Sequence, residues 1–116
     1  MEITFQTKTI LITGAAGQLG HAVAKSYSAS GARRLLLLDK PEQRAALEAQ
    51  AQELEGRYPA CAVHVYCADL VETAQIQSVT AQIRRDGFGV DVLVNIAGMN
   101  FLEKAVDVEE DFWDYL

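Results

Sequence analysis

The segment Thr9–Gly20, TILITGAAGQLG, joins a short run of β-branched and aliphatic residues directly to three glycines. The run Thr9–Thr13 is rich in β-branched residues and ends at a glycine, which predicts a strand. After Gly17, apolar residues recur at helical spacing, so a helix is predicted over residues 17–30. These residues are Leu19, Val23, Ala24 and Tyr27. A strand, a glycine turn and a helix in this order predict the opening of a βαβ unit.

Short apolar runs alternate with helical patterns along the rest of the chain. Further strands are predicted at 35–38, 62–67 and 90–95, and further helices at 41–55 and 71–86. The second strand is continuously apolar, which is typical of a strand buried on both faces. The alternation predicts an α/β fold built of βαβ units around a parallel sheet.

Length and composition indicate one globular domain spanning residues 1–116. The net charge of −6 and the lack of a Lys/Arg run argue against nucleic acid or an anionic membrane as a partner. The longest apolar run, 35–38, is far shorter than the roughly 20 residues of a membrane span. Cys61 and Cys67 match neither a disulfide framework nor a zinc site. We therefore expect inert thiols, no metal and a cytoplasmic location.

The last stretch, Met99–Leu116, is predicted to be a loop that leads into a helix. Asp107 and Glu110 resemble a capping box, and an apolar face begins after them. That face consists of Phe112, Trp113 and Leu116. A helix that stops on its apolar face is unlike a natural terminus, so we expect the chain to be part of a longer product.

The glycine loop between the first strand and the first helix is suited to binding phosphate. Glycines let backbone amides approach a pyrophosphate, and the helix N-terminus adds free N–H groups and the positive end of its dipole. The alternative is that the glycines only allow tight packing of the strand on the helix. The preceding strand, the following helix and an acid at the end of the next strand favour phosphate binding.

The pattern Thr-Gly-x-x-Gly-x-x-Gly at residues 13–20 resembles the fingerprint of the extended branch of the short-chain dehydrogenase/reductase family. The commoner branch has a glycine where this chain has Gln18. The resemblance implies that the loop binds a nicotinamide dinucleotide. The loop residues expected to contact it are Gly14, Gly17, Gln18, Leu19 and Gly20.

Asp39 follows the second strand, where an acid can accept hydrogen bonds from the adenosine ribose and repel a 2′-phosphate. The resemblance therefore implies NAD, with NADP less favoured. Lys40 is a neighbouring cation that would partly accommodate a phosphate. The alternative is that Asp39, with Glu42, caps the next helix. The two roles are compatible.

Asp69 and Leu70 close the third strand. The resemblance implies that Asp69 contacts the adenine amine. The alternative is an N-cap for the helix at 71–86, with Glu72 completing a capping box.

The segment Asn95-Ile-Ala-Gly98 resembles the family's Asn-Asn-Ala-Gly signature, with Ile96 in place of the second asparagine. Small residues here, Ala97 and Gly98, let the chain pass close beside the cofactor. The Asn95 amide is expected to tie neighbouring strands together. This segment is shared with the commoner branch, so the chain combines features of both.

The family transfers hydride between nicotinamide and a carbonyl or alcohol carbon, with a tyrosine and a lysine four positions later as acid and base. None of the four tyrosines in this chain has such a lysine, so we assign no catalytic residue here. The resemblance implies an α/β fold of Rossmann type, with three layers in which helices cover both faces of a parallel sheet. Four strands in the order 3-2-1-4 would form half of this doubly wound sheet, with the C-terminal half absent. His21, directly after the glycine loop, is expected to face solvent.

Three functions remain open at this stage. The first is the NAD-binding part of an oxidoreductase whose missing half supplies the site for a small-molecule substrate, and which forms a homo-oligomer when complete. The second is a module that binds or senses NAD without turnover. The third is a structural or interaction domain that retains the fold but does not bind the cofactor. Within the first, the extended-type glycine spacing leaves part of a nucleotide-sugar epimerase or dehydratase as an alternative. Fold alone does not decide among them.

Overall fold

The computed structural model describes residues 6–97, so the expectations for Gly98 and for Met99–Leu116 lie outside the described residues. In chain order the elements are β1 (Thr9–Thr13), α1 (Gln18–Ala29), β2 (Arg34–Asp39), α2 (Arg44–Arg57), β3 (Ala62–Cys67), α3 (Thr73–Arg85) and β4 (Val92–Asn95). Within residues 6–97, no helix is long and apolar enough to cross a lipid bilayer.

The four strands form one parallel sheet in the order β3-β2-β1-β4. β1 is central, and its Ile12 lies opposite Leu37 of β2 and Val94 of β4. The predicted order 3-2-1-4 is confirmed. All four strands point the same way, so their carboxyl ends meet at one edge of the sheet.

The helices cover both faces of the sheet, because successive side chains of a strand point to opposite faces. In β2, Leu35 and Leu37 pack in a cluster with side chains of α1 and α2, whereas Leu36 and Leu38 pack with α3. All four leucines are fully buried. A strand buried on both faces accounts for the continuous apolar run, and the three-layer arrangement is confirmed.

Several element boundaries differ from the sequence prediction by one to three residues, and α2 and β4 are two examples. Pro41–Gln43 forms a single 3-10 turn, and α2 begins only at Arg44. Proline has a φ suited to a first helical turn, which explains why the pattern placed the helix start there. β4 begins at Val92 rather than Val90.

The two cysteines lie at either end of β3. Cys61 is buried and Cys67 is half-buried, and both are free thiols. Burial raises the pKa of the Cys61 thiol and of the Cys67 thiol above the ordinary value. Both groups are therefore protonated near neutral pH, as expected of inert thiols.

Aromatic and polar side chains cover the outer strand β3 on the α3 face. The rings of His64 and Phe88 lie 4.6 Å apart between centroids, and the Arg34 guanidinium carbon lies 4.3 Å from the centroid of the Phe88 ring. The Tyr66 hydroxyl donates to the Asp86 carboxylate. Burial, reinforced by this hydrogen bond, raises the pKa of Tyr66. His64 is thus packed against a neighbour rather than free in solvent.

Candidate nucleotide-binding site

The carboxyl edge of the sheet brings together the segments singled out in the sequence. The glycine loop follows β1, Asp39 ends β2, Asp69 follows β3 and Asn95 ends β4. In open α/β sheets, ligands bind in the crevice outside this edge, at the point where the strand order reverses. Here that point lies between β1 and β4, which are adjacent in space but not in sequence.

Two of the loop glycines are required by the packing of the chain itself. Gly14 has a φ of +69°, and a Cβ there would lie 2.7 Å from the backbone nitrogen of Ala97. A Cβ on Gly20 would lie 2.6 Å from the Cα of Ala15. Side chains at these positions would collide with backbone atoms. The loop therefore packs closely against the end of β4 and the start of α1.

Gly17 is different, because nothing within the described residues requires a glycine there. It is the N-cap of α1 in an extended conformation (φ −77°, ψ 173°), and the nearest atom to a Cβ would be the Gly14 oxygen at 3.9 Å. Gln18 and Leu19, the next residues, are exposed. The first turn of α1 carries no acidic residue, so the positive end of its dipole is not neutralised locally. The open side of the loop is therefore suited to an anion.

The Asp39 carboxylate fastens the glycine loop to the end of β2. Its Oδ2 accepts a hydrogen bond from the Ala16 N–H (3.0 Å), and its Oδ1 accepts one from the Lys40 N–H (2.8 Å). No side-chain bond caps the turn that follows, so the alternative that Asp39 caps the next helix is wrong. Each carboxylate oxygen accepts more than one hydrogen bond, so Asp39 retains acceptor capacity for a ribose.

Asp69 shapes the turn between β3 and α3. Its Oδ1 accepts from the Val71 N–H (3.2 Å), and its own N–H donates to Gln75 Oε1 (2.7 Å). The N-cap of α3 is Glu72, without a side-chain capping bond, and the helix begins at Thr73. The capping alternative for Asp69 is therefore wrong, because its side chain closes a local turn two residues on instead. Leu70 beside it is half-buried against the α3 cluster.

Asn95 ties β4 to β1, as predicted. The Thr13 hydroxyl donates to Asn95 Oδ1 (2.7 Å) between residues that are also paired in the sheet register. Ala97, two residues on, supplies the backbone nitrogen that approaches Gly14. The end of β4 is thus fixed against the glycine loop by one side-chain bond and one close backbone contact.

Replacing Thr13 with valine is expected to lower the free energy of unfolding by about 1 kcal/mol. Valine keeps the shape of threonine but removes the hydroxyl donor to Asn95. Urea unfolding, with Thr7→Val at an exposed position as the control, measures this difference. Equal midpoints and slopes for both variants would show that the Thr13–Asn95 bond adds nothing to stability.

Sequence reasoning missed a contact between α2 and the glycine loop. Gln50 Nε2 donates to the Ala15 carbonyl (3.2 Å) and lies 2.7 Å from His21 Nδ1. His21 is half-buried, so the expectation that it faces solvent is wrong. One signal was present in the sequence: Gln50 lies on the apolar stripe of α2, where a polar residue needs a partner. The other buried residues of that stripe are Leu47, Ala51 and Leu54.

Residues 6–97 contain no group of three or more His, Cys, Asp or Glu side chains placed to hold a metal ion. The functional groups at the carboxyl edge are instead backbone amides, two carboxylates and an amide side chain. Such a set is suited to hydrogen bonding with a polar organic ligand.

Comparison with known proteins places these features in a family. Residues 8–116 match the family described as short chain dehydrogenase. The chain is 35% identical over 107 residues to the NAD-dependent glycerol dehydrogenase of Listeria innocua, covering 92% of this chain and 39% of that protein. It is 30% identical over 109 residues to the D-beta-hydroxybutyrate dehydrogenase of Rhizobium meliloti, covering 93% of this chain and 41% of that protein.

A solved structure shows the same fold. The L-sorbose reductase of Gluconobacter frateurii, complexed with NADPH and L-sorbose, superimposes with a TM-score of 0.71 at 24% identity, covering 80% of this chain and 34% of that chain. The chain spans about two fifths of the length of the curated relatives described above, which are matched over 39% and 41% of their lengths. By its glycine loop, its sheet order and its match over residues 8–116, the chain belongs to the short-chain dehydrogenase family.

Proposed function

We propose that residues 1–116 form the NAD-binding part of a single Rossmann-type domain in an oxidoreductase that transfers hydride between nicotinamide and a carbonyl or alcohol carbon. The observation that carries the proposal is the Asp39 carboxylate at the end of β2, bonded to the open glycine loop through Ala16. An acceptor suited to ribose hydroxyls beside backbone donors suited to phosphate supports the binding of a dinucleotide here.

The pyrophosphate would be held by the loop and the start of α1. Gly17 leaves room for a ligand to approach the backbone, and the exposed Gln18 and Leu19 begin the helix whose free N–H groups face the same side. Gly14 and Gly20 contribute indirectly, since they allow the tight course of the loop. No charged side chain is needed for this recognition.

The preference for NAD over NADP rests on the charge and the rigidity of Asp39. Two backbone N–H groups hold the carboxylate in place, so it cannot turn away easily from a 2′-phosphate. The Lys40 side chain is exposed and carries the opposite charge, but exposed charges are well screened by solvent. The relative from Listeria innocua is an NAD-dependent enzyme, which supports the same preference.

The remaining predicted contacts lie on either side of the loop. Asp69 and Leu70 would meet the adenine, and Asn95, Ala97 and Gly98 would border the cofactor at the end of β4. In the turn at Asp69, Oδ1 accepts the hydrogen bond from the Val71 N–H, and the second carboxylate oxygen, Oδ2, takes no part in that bond. Small residues at 97 and 98 allow a ligand to approach the backbone closely.

The chemistry of hydride transfer belongs to the bound dinucleotide, and this chain's part is to bind and orient it. We place the acid and base, the substrate pocket and the subunit contacts of a homo-oligomer in sequence outside residues 1–116, because the matched relatives are more than twice as long.

The relatives act on glycerol and hydroxybutyrate, which supports a small alcohol or carbonyl compound as substrate. Two free, protonated thiols are compatible with a reducing cytoplasm.

Binding of NADH and NADPH to the whole protein tests this proposal, with Asp39→Asn as the informative variant. Asparagine keeps an oxygen that accepts the Ala16 N–H, but it loses the negative charge and the acceptor for the Lys40 N–H. The wild-type protein is expected to prefer NADH, and Asp39→Asn to narrow that preference by about tenfold, as expected for loss of a nearby like charge. Fluorescence titration of the reduced cofactors gives both dissociation constants.

Asp91→Asn is the matched control, because Asp91 also accepts a backbone hydrogen bond, from the Thr9 N–H (2.8 Å), but at the opposite edge of the sheet. It is expected to leave the NADH/NADPH ratio unchanged. An equal ratio in the Asp39→Asn variant would place cofactor selection elsewhere. Failure of the folded wild-type protein to bind either cofactor would overturn the proposal.

A further inference from the structure

A hydrogen-bonded chain links α2 to both ends of the glycine loop. Gln50 of α2 is buried, with 6% of its surface exposed, and its Nε2 donates to the carbonyl oxygen of Ala15. The same nitrogen lies 2.7 Å from Nδ1 of His21. His21 is joined to the loop through its backbone, because its N–H donates to the Gly17 carbonyl (2.9 Å).

The Ala15 carbonyl fixes the orientation of the Gln50 amide. A carbonyl oxygen only accepts hydrogen bonds, so the nitrogen of the amide must face it. Turning the amide over would bring Oε1 against the Ala15 oxygen and leave two acceptors facing each other. The orientation has a cost, because Gln50 Oε1 is buried without a hydrogen-bonding partner among residues 6–97.

The orientation of Gln50 in turn sets the protonation of His21. With a donor already facing it, Nδ1 of His21 must be the acceptor, so the imidazole is neutral and carries its proton on Nε2. A protonated imidazole would present a second donor to the Gln50 NH₂ group. The conflict is relieved if the amide turns over, which gives Oε1 a donor but removes the bond to Ala15.

We propose that Gln50 is a positioning residue that holds the glycine loop in its dinucleotide-binding shape, and that protonation of His21 releases it. The inference rests on the proposed function, since it concerns how the same loop is kept ready for the cofactor. Ala15 lies between Gly14 and the Ala16 N–H that Asp39 holds, so loss of its bond loosens the loop where phosphate and ribose recognition meet.

Few charged side chains lie near His21 within the described residues. From α2, Glu53 lines the same groove as His21 and Gln50, whereas the loop residues that line it are neutral. These are Ala16, Gly17 and Gln18. On α1 itself, Lys25 follows His21 by one helical turn and is exposed. Of the three residues of the contact, Ala15, His21 and Gln50, His21 is the one whose side chain can take up a proton.

The test measures NADH affinity of the whole protein at about pH 5.5 and about pH 8, the range in which histidine titrates. NADH is the probe because it lacks the 2′-phosphate, which itself takes up a proton in this range. For the wild type we expect affinity about fivefold lower at the acid end, the ratio that one net hydrogen bond gives. His21→Gln retains an acceptor but does not titrate, so its affinity for NADH is expected to be about the same at both pH values.

Gln50→Met is the second variant, since methionine fills the same volume without any hydrogen bond. It is expected to bind NADH about fivefold more weakly than wild type at the neutral end and to show no acid dependence. Gln52→Met, at an exposed position of α2, and His64→Gln, on β3, are the matched controls and retain wild-type behaviour. Melting temperatures separate loss of binding from loss of folding.

The possible results separate this inference from the proposed function. Wild-type affinity in Gln50→Met, or an unchanged acid dependence in His21→Gln, would overturn the positioning role while leaving NAD binding intact. Absence of NADH binding by the folded wild-type protein at both pH values would instead refute the proposed function, and the inference with it.

Discussion

Substituting valine for Gly20 is expected to destabilise the domain strongly. A Cβ at this position would lie 2.6 Å from the Cα and 2.8 Å from the carbonyl carbon of Ala15, and both of these are backbone atoms. Ala15 is itself fully buried and its N–H is bonded to Leu38 of β2 (3.2 Å). The backbone therefore cannot move aside without breaking the attachment of the loop to the sheet.

The expected loss of stability is at least about 3 kcal/mol, the upper end of the usual cost of overpacking. Such a loss is a large share of the roughly 5–15 kcal/mol that stabilises a typical domain. Urea unfolding followed by circular dichroism on the whole protein measures it. Gly56→Ala is the control, because that glycine lies in α2 with nothing within 4 Å of a Cβ. Alanine there is expected to stabilise the helix by up to about 1 kcal/mol.

A folded Gly20→Val protein with wild-type stability would contradict the packing described for the loop. It would mean that the start of α1 stands further from Ala15 than the structure shows. The Gly56→Ala variant provides the reference value, because it shows how much the free energy of unfolding changes when a helical glycine is replaced without a steric conflict.

The identity of the strands followed from local pattern, because each strand carries its own signal. The run Leu35–Leu38 is apolar at every position, and only a strand covered on both faces needs that. The glycine spacing then identified the family resemblance, which supplied the strand order. The sequence pattern does not determine where α2 begins, because Pro41 suits the first turn of an α-helix and a 3-10 turn equally well.

The side-chain contacts of the site were not predictable in the same way. Asp39 and Ala16 are 23 positions apart, and Gln50 and Ala15 are 35 apart. Which hydrogen bonds a carboxylate or an amide makes depends on how the helices seat against the sheet, and local pattern carries no information about that. The capping interpretation of Asp39 was wrong for this reason: the acid reaches across to the loop rather than forward along its own segment.

The glycines illustrate the same limit. Spacing alone treats Gly14, Gly17 and Gly20 as equivalent members of one motif. In the structure Gly14 and Gly20 are required by contacts with Ala97 and Ala15, whereas Gly17 has no such contact. A glycine that packing does not require is the better reporter of ligand binding, because its replacement leaves the fold intact.

Substituting valine for Gly17 is therefore expected to weaken NADH binding by about a hundredfold while the protein remains folded, since a branched side chain would stand where backbone must approach phosphate. Its φ of −77° is open to any residue, and a Cβ would meet only the Gly14 oxygen at 3.9 Å. Loss of a favourable N-cap residue is expected to cost about 1 kcal/mol of stability. NADH titration and thermal unfolding of the same samples measure the two effects separately.

Gly89→Val is the matched control for this substitution. Gly89 lies between α3 and β4, at the edge of the sheet opposite the glycine loop, and nothing lies within 4 Å of a Cβ there. Both variants add the same side chain at an exposed glycine. Apart from the loss of the N-cap residue, which thermal unfolding measures, they differ in their proximity to the bound cofactor. If Gly17→Val and Gly89→Val bind NADH equally well, the phosphate does not approach the N-terminus of α1, and the assignment of the loop as its binding site is wrong.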